Sequence, residues 1–209
     1  MLLPTPPLLV ISDRSQARHP LAETAAACFA GGCRWFSLRE KDLPAAERRA
    51  LLADIAVLAR PYGAVVGVHD DLDAGAAAVH LPAGGDPAAV RRKLPRALIG
   101  VSAHEAGEAA SAIAGGADYV TVSPVFLTDS KPGYGPALGL DGLARAAVAA
   151  KGPVLALAGI SPANAGACLA AGAAGVAVMG EAMRAEDPEA VVRALLGAMG
   201  ERTWTRTMS

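Results

Sequence analysis

The chain has 209 residues, of which 53% are hydrophobic and only 4% aromatic, and its 19 basic side chains nearly balance its 20 acidic ones. This length favours one domain, and the near-neutral charge argues against a nucleic-acid partner, whose phosphates call for a basic face. The three cysteines form no C-x-x-C pair and fit neither a disulfide framework nor a zinc site, so we expect a cytoplasmic location. The start of the chain lacks a basic segment and reaches Asp13 too soon for a signal peptide or a membrane span.

Short apolar runs alternate with alanine-rich helical patterns along the whole chain. Many of the runs carry β-branched residues with little alternation, which is typical of strands covered on both faces. In chain order the predicted strands are Leu8–Ser12, Trp35–Leu38, Ala64–Val68, Ala77–Leu81, Leu98–Ser102, Tyr119–Ser123, Val154–Ala158 and Gly175–Met179. Strands that alternate with helices predict a parallel sheet, either a closed (β/α)₈ barrel or an open doubly wound sheet.

Two features favour the closed barrel. The strand count matches a small (β/α)₈ TIM barrel of the α/β class, and no G-x-G-x-x-G follows the first strand, which removes the main signature of a dinucleotide-binding fold. Only about eight residues separate the third run from the fourth, so the third helix should be short or missing. We expect a single catalytic barrel over residues 1–200 and a frayed polar tail over residues 201–209.

Helix boundaries can be predicted at several points. Helical patterns cover Pro44–Arg60 and Pro162–Ala171. Two dipeptides, Ser161-Pro162 and Asp187-Pro188, have the composition of a helix start, in which a capping side chain precedes a proline at the first helical position.

Two of the four lysines indicate phosphate binding. The chain has 15 arginines but only four lysines, and both Lys41 and Lys131 lie in loops that follow predicted strands. In a TIM barrel these loops converge on one face and carry the function. Lysine supplies a compact, mobile charge that suits phosphate oxygens, although solvated surface lysines are the alternative interpretation.

Glycines at the ends of strands seven and eight point to the same chemistry. Gly159 and Gly180 follow these strands, where backbone N–H groups and a short helix N-terminus can approach a phosphate. The segment Glu181–Arg184 could supply that helix. Ordinary turn glycines are the alternative interpretation.

The densest acidic patch reads His69-Asp70-Asp71-Leu72-Asp73, and Asp86 follows the next strand. One or two carboxylates together with substrate phosphate oxygens suit Mg²⁺. Alternatively, Asp71 and Asp73 could cap a short third helix.

The remaining histidines and one long loop complete the candidate site. We expect His80, inside the fourth run, to be a core histidine. His104 opens the fifth helix, where it suits capping or catalysis equally, and we count it among the substrate-binding candidates. The loop Ser123–Gly139 has the length and composition of a lid, with Thr128, Ser130 and Lys131 placed to close over an anion.

Six segments of the chain resemble the thiamine-phosphate synthase family and its thiazole tautomerase relatives. They read LLVISDR, GGCRWFSLREKDL, GVSAHEAGEA, ADYVTVSPVFLTDSKPGYG, PVLALAGISPAN and GAAGVAVMGEAM. The resemblance implies a (β/α)₈ barrel that uses Mg²⁺ to join a hydroxymethylpyrimidine diphosphate to a hydroxyethylthiazole phosphate, with release of pyrophosphate. It also implies small phosphorylated substrates as partners, and it leaves homo-oligomerisation open.

The resemblance further implies roles for individual residues. Arg39, Lys41 and Lys131 would hold the diphosphate, and Asp70 with Asp86 would lie near the metal. The residues that would contact substrate are Ser102, Thr128, Ser130, Gly159, Met179 and Gly180.

Several positions depart from the family pattern. Ser37 stands in place of a glutamine, His69 in place of an asparagine, and the aspartate after Gly85 comes one place late. These departures remove pyrimidine and metal contacts, which also happens in the tautomerase branch. However, Pro124 stands where that branch has its catalytic histidine.

Two alternatives to synthase activity therefore follow. One is a tautomerase-like enzyme acting on thiazole carboxylate phosphate, with His69 or His104 as the base. The other is a barrel that binds a phosphorylated ligand without turnover.

Overall fold

Parallel strands close into a barrel in which each strand pairs with its sequence neighbours and the last pairs with the first. The computed structural model describes residues 2–128 and 135–200, so the predicted tail at 201–209 lies outside the described residues. Within the described ranges the eight strands are β1 Leu8–Ile11, β2 Trp35–Leu38, β3 Val65–His69, β4 Ala78–Leu81, β5 Leu98–Ala103, β6 Tyr119–Val122, β7 Val154–Leu157 and β8 Gly175–Val178. Every strand bound lies within one residue of its prediction, and the predicted (β/α)₈ fold is confirmed.

Helices connect most of the strands and pack on the outside of the barrel. In the described part of the chain they are α1 Leu21–Ala30, α2 Ala45–Ala59, α3 Pro87–Lys93, α4 Ala106–Ala114, α5 Gly139–Ala150, α6 Ala165–Ala170, α7 Gly180–Met183 and α8 Pro188–Met199. Residues 70–77, between β3 and β4, form turns and bends without a helix, which confirms that the third helix is short or missing. No helix of the described residues has the length and apolar character needed to cross a membrane.

The two predicted helix starts have different outcomes. Asp187 caps α8 as predicted, because its side chain accepts a hydrogen bond from the Ala190 N–H at 2.9 Å and Pro188 is the first helical residue. The predicted start at Ser161-Pro162 is wrong, since α6 begins only at Ala165. The Asn164 side chain accepts from the Ser161 N–H at 2.9 Å and closes a turn that holds the proline outside the helix.

The amino-terminal half of the barrel interior is filled by large side chains. Trp35 and Tyr119 are both buried, and their rings meet edge to face with centroids 4.7 Å apart. Gly100 makes room for the phenol, because a Cβ at this position would lie 2.1 Å from Tyr119 Cζ. Among the described residues, this packing fills the amino-terminal end of the barrel, and the cavity described below lies at the carboxyl ends of the strands.

Replacement of Gly100 by alanine should therefore destabilise the fold. We expect Gly100→Ala to lower the free energy of unfolding by about 1–3 kcal/mol, the usual cost of overpacking a well-packed core. The matched control is Gly197→Ala in α8, where a Cβ would have no neighbour within 4 Å. That change should raise stability by up to about 1 kcal/mol, since alanine favours a helix. Urea unfolding measures both, and a wild-type midpoint for Gly100→Ala would contradict this packing of the barrel interior.

Candidate active site

A cavity of about 410 Å³ opens at the carboxyl ends of the strands. It brings together nine of the predicted site residues, namely Arg39, Lys41, Asp70, Ser102, His104, Thr128, Gly159, Met179 and Gly180. Ser130, Lys131 and the middle of the predicted lid lie outside the described residues. Asp86 is described, but it does not line the cavity.

The two sides of the cavity differ in chemistry. The side built by the ends of β2 to β5 is polar and carries Arg39, Lys41 and Ser102. The side built by β7, β8 and β1 is mainly apolar, with wall residues Leu157, Val178 and Ile11 beside the glycines. A ligand that combines a charged group with a flat or apolar ring would match this division.

The loop after β2 supplies two positive charges to the polar side. Among the described residues, neither the Arg39 side chain nor the Lys41 side chain has a hydrogen bond or an ion pair. The loop itself is fixed by its backbone, since the Arg39 N–H donates to Ser12 Oγ at 2.9 Å. Ser12 Oγ in turn donates to the buried Glu40 carboxylate at 2.6 Å. The cations are thus held in place while their charge remains available to an anion.

Backbone groups form the opposite wall, as the glycine pattern predicts. Gly159 has φ +64°, and a Cβ there would lie 2.6 Å from the Leu127 carbonyl oxygen, so only glycine fits this close approach. Met179 precedes the short helix α7, which begins at Gly180. The first N–H groups of a helix have no acceptor within the helix and favour an anion.

The acidic patch is divided among several tasks. Asp70 faces the cavity, whereas Asp71 accepts a hydrogen bond from Arg48 Nη2 at 2.8 Å, which keeps the pKa of this carboxyl below its ordinary value. Asp71 also accepts from the Asp73 N–H and so closes a turn rather than capping a helix. Asp73 forms an exposed ion pair with Lys93. Of these three aspartates, only Asp70 therefore remains on the cavity surface.

Asp86 lies at the start of α3 and does not join Asp70 in the cavity lining. Its carboxylate is the N-cap of α3 and accepts from the Ala89 N–H at 2.9 Å. Asp86-Pro87 starts α3 as Asp187-Pro188 starts α8, and the cap uses one oxygen of the Asp86 carboxylate. Within residues 2–128 and 135–200, no three His, Cys, Asp or Glu side chains are grouped so that they could hold a metal ion.

A layer of histidines lies beneath the cavity. His80 bonds through Nδ1 to the Tyr119 hydroxyl at 3.1 Å and through Nε2 to Ser102 Oγ at 3.0 Å, as expected for a satisfied core histidine. The His69 ring packs against it, with centroids 4.8 Å apart. Burial, assisted by Lys41 and Arg39, lowers the pKa of His80 to about 3. Burial, followed by the effect of His80, also lowers the pKa of His69 well below its usual range. Both rings are therefore neutral at pH 7.

His104 lies at the rim of the cavity with its orientation fixed. Its Nδ1 donates to the Ser123 carbonyl oxygen at 2.9 Å, which requires the proton to be on Nδ1. Its backbone N–H donates to Glu108 Oε2 at 2.7 Å, and the N-cap of α4 is Glu105, so the histidine does not cap this helix. Its imidazole is a cavity wall group.

Sequence patterns missed several residues of the site. Glu181, Arg184 and Leu127 line the cavity, as do the apolar wall residues at the ends of β1, β7 and β8. An inward-facing apolar residue at the end of a buried strand has no distinctive composition, which is why these wall positions escaped notice. Arg184 ends the short helix α7, and the predicted segment Glu181–Arg184 already pointed to this region.

Comparison with known proteins identifies the family. A sequence model described as thiamine monophosphate synthase matches residues 8–182. The chain belongs to the thiamine-phosphate synthase family. A thiamine-phosphate synthase of Moorella thermoacetica is 39% identical over 193 residues, covering 90% of this chain and 92% of its own length. A Geobacter sulfurreducens relative that carries the same name provisionally is 44% identical over 203 residues, covering 94% of this chain and 95% of its own length.

A solved structure of the family has the same fold. Thiamine phosphate pyrophosphorylase from Pyrococcus furiosus superposes with a TM-score of 0.83 at 31% identity, covering 93% of this chain and 95% of that chain. Members of the thiamine-phosphate synthase family are transferases, so the cavity at the carboxyl ends of the strands is the candidate active site of a transferase.

The buried His80 predicts how stability depends on pH. Because the pKa of His80 is about 3 in the folded chain and 6.5 in its unperturbed form, the unfolded chain binds more protons between these values. Stability should therefore fall as the pH drops from about 6 to 4.5, and His80 alone contributes up to about 1.4 kcal/mol per pH unit. His80→Gln, which keeps hydrogen-bonding groups but does not titrate, should flatten this dependence. Urea unfolding across the pH range measures it, and equal slopes for both proteins would contradict a neutral His80.

Proposed function

We propose that this chain is a thiamine-phosphate synthase that joins hydroxymethylpyrimidine diphosphate to hydroxyethylthiazole phosphate and releases pyrophosphate. The observation that supports this most is that Arg39 and Lys41 line the same cavity as the backbone of Gly159 and Gly180. Among the described residues, neither of these two cations has a side-chain partner. Such a cavity offers two adjoining anion sites. The proposed reaction needs two sites, because each substrate carries its own phosphate group.

The diphosphate is assigned to the polar side. Arg39 and Lys41 would bind its oxygens, with Lys131 joining them as the resemblance implies. A guanidinium can bind two phosphate oxygens at once, and an ammonium adds a mobile point charge. The pyrimidine would then lie over Ser102 and the neutral histidine layer, which offers hydrogen bonds without a competing charge.

The thiazole phosphate is assigned to the apolar side. Its phosphate would bind the backbone of Gly159, Met179 and Gly180, and Thr128 with Ser130 would add hydroxyl groups. The thiazole ring would pack against Ile11 and Leu157, which form part of the apolar wall. This arrangement brings the two rings together in the middle of the cavity.

The reaction follows from this arrangement. The bond between the pyrimidine methylene carbon and the diphosphate oxygen breaks, and the electron pair leaves with pyrophosphate. The thiazole nitrogen then donates its lone pair to the methylene carbon and forms the new C–N bond. Arg39, Lys41 and Lys131 stabilise the negative charge that develops on the leaving group. No group needs to remove a proton, in agreement with the low basicity of the buried histidines.

Magnesium is proposed as the cofactor, carried with the diphosphate. Asp70 is a predicted metal carboxylate that faces the cavity, and one carboxylate together with phosphate oxygens suits Mg²⁺. When bound there, the ion would neutralise charge on the leaving diphosphate. The donor set among the described residues fits a substrate-borne ion and not a cage made of protein ligands alone.

The geometry gives less support to a tautomerase-like activity. His69 is a weak base because burial lowers its pKa, and a useful general base has a pKa near the working pH. His104, whose imidazole lines the cavity, remains the candidate base for that alternative.

Direct assay separates the proposed activity from its alternatives. The purified protein is incubated with both substrates and Mg²⁺ while pyrophosphate and thiamine phosphate are measured. Stoichiometric formation of both products is the expected result. Binding of thiazole phosphate without release of pyrophosphate would contradict synthase activity and identify a binding protein. Isomerisation of thiazole carboxylate phosphate would instead identify a tautomerase.

Loss of one active-site cation should slow the reaction strongly. We expect Lys41→Ala to reduce kcat/KM by about 10²–10³-fold, the usual effect of removing one group that stabilises a developing anion. Lys151→Ala is the matched control, because Lys151 is an exposed residue at the end of α5 and does not line the cavity. Steady-state kinetics measures both variants. Unchanged turnover of Lys41→Ala would remove this lysine from the site.

Replacement of the two aspartates should separate the metal ligand from the helix cap. Asp70→Asn should raise the Mg²⁺ concentration for half-maximal activity by roughly tenfold, the low end of the effect of disturbing a metal's surroundings. Asp86→Asn should leave the Mg²⁺ titration unchanged and alter only stability, by about 1 kcal/mol or less. The check is activity against Mg²⁺ concentration. A raised Mg²⁺ requirement in Asp86→Asn, with an unchanged one in Asp70→Asn, would instead identify Asp86 as the metal ligand.

A further inference from the structure

The two cavity cations are surrounded in sequence by carboxylates. The segment reads Arg39-Glu40-Lys41-Asp42, so each cation lies next to an acidic residue that could neutralise it. Nevertheless, Arg39 and Lys41 form no ion pair among the described residues. The Glu40 and Asp42 carboxylates therefore contact other groups instead of these two cations.

Arg14, in the loop after β1, contacts both carboxylates. Its Nε lies 3.7 Å from Glu40 Oε2, and its Nη2 bonds to Asp42 Oδ2. Its backbone N–H also donates to both Glu40 oxygens, each at 3.2 Å. None of Arg14, Glu40 and Asp42 is among the described residues that line the cavity.

The two carboxylates differ in burial, and this difference shows which of them depends on the Arg14 side chain for its position. Glu40 is only 2% exposed and accepts a further hydrogen bond from Ser12 Oγ, so it stays in place with or without the Arg14 side chain. Asp42 is 67% exposed at its side chain and contacts the Arg14 guanidinium. Without that guanidinium, Asp42 would be free to turn towards the neighbouring Lys41.

We propose that Arg14 is a positioning residue whose guanidinium holds the Asp42 carboxylate away from Lys41 and so keeps this cation available for the diphosphate. This inference rests on the proposed function for the identity of the anion. The physical basis is competition between carboxylates: an exposed aspartate beside an unpaired lysine lowers the local positive potential and competes with the incoming anion for the same ammonium group.

The test measures binding of inorganic pyrophosphate by titration calorimetry at a fixed Mg²⁺ concentration. Arg14→Ala should weaken binding by about threefold to tenfold, the range expected for one partly exposed charge interaction near an anion site. The double variant Arg14→Ala/Asp42→Asn should recover wild-type affinity, because the competing carboxylate is gone. Arg193→Ala is the control, since this arginine pairs with Glu189 on α8 outside the cavity.

Recovery by the second substitution distinguishes positioning from a structural role. Unchanged affinity in Arg14→Ala would overturn the proposal. A loss of affinity that Asp42→Asn does not repair would also overturn it, because Arg14 would then act by contacting the anion or by supporting the loop. Pyrophosphate binding requires no turnover, so absence of thiamine phosphate formation by the wild-type protein would contradict the proposed function alone.

Discussion

Unpaired positive charge at the open end of the barrel is the constraint on which the rest of the site depends. Arg39 and Lys41 follow each other closely on one loop, and no described acidic side chain forms an ion pair with either of them. The two like charges repel each other. The loop that carries them is held because the Arg39 N–H donates to Ser12 Oγ, which in turn donates to the Glu40 carboxylate. Under the proposed function, the bound diphosphate would offset this repulsion, which is the behaviour expected of a site complementary to a charged ligand.

Burial keeps the two histidines beneath the cavity neutral, and the charge of the neighbouring cations adds to this effect. His69 and His80 lie close to Arg39 and Lys41, and both cations lower the pKa of each ring in addition to the effect of burial. A protonated histidine would add a further positive charge to a crowded site. The bonds of His80 to Tyr119 and Ser102 satisfy its nitrogens as a neutral ring, so the base of the cavity is polar but uncharged. Positive charge is therefore confined to the rim, where the phosphates are assigned.

The backbone framework of this site could be predicted from the sequence, because each strand is a buried apolar run and most candidate residues follow one. A closed parallel barrel brings every strand end to the same rim, so residues as distant as Arg39 and Gly180 converge without any knowledge of their contacts. The interactions between loops could not be predicted in this way. Asp86, for example, is a carboxylate that follows a strand, which suggests a metal ligand. Only the structure shows that its side chain caps α3.

Competition between local and long-range partners explains the other differences. At Ser161-Pro162 the proline favoured a helix start, but the Asn164 side chain closed a turn ahead of the helix. Arg14, in the loop after β1, pairs with Glu40 and Asp42 in the loop after β2. No periodicity in the sequence predicts this pairing. Such pairings depend on which strands are neighbours, and they become visible only when the barrel is closed.

The central claim is that one rim holds two separate anion sites, and simultaneous binding tests it most directly. Titration of inorganic pyrophosphate into protein saturated with hydroxyethylthiazole phosphate, at constant Mg²⁺, measures whether the two anions occupy the cavity together. Two sites predict that thiazole phosphate changes the pyrophosphate affinity by a limited factor, roughly 5–150-fold at most, which no longer grows once the thiazole phosphate site is saturated. Mutual exclusion of the two anions would contradict the claim, because Arg39, Lys41 and the glycine wall would then serve a single anion site.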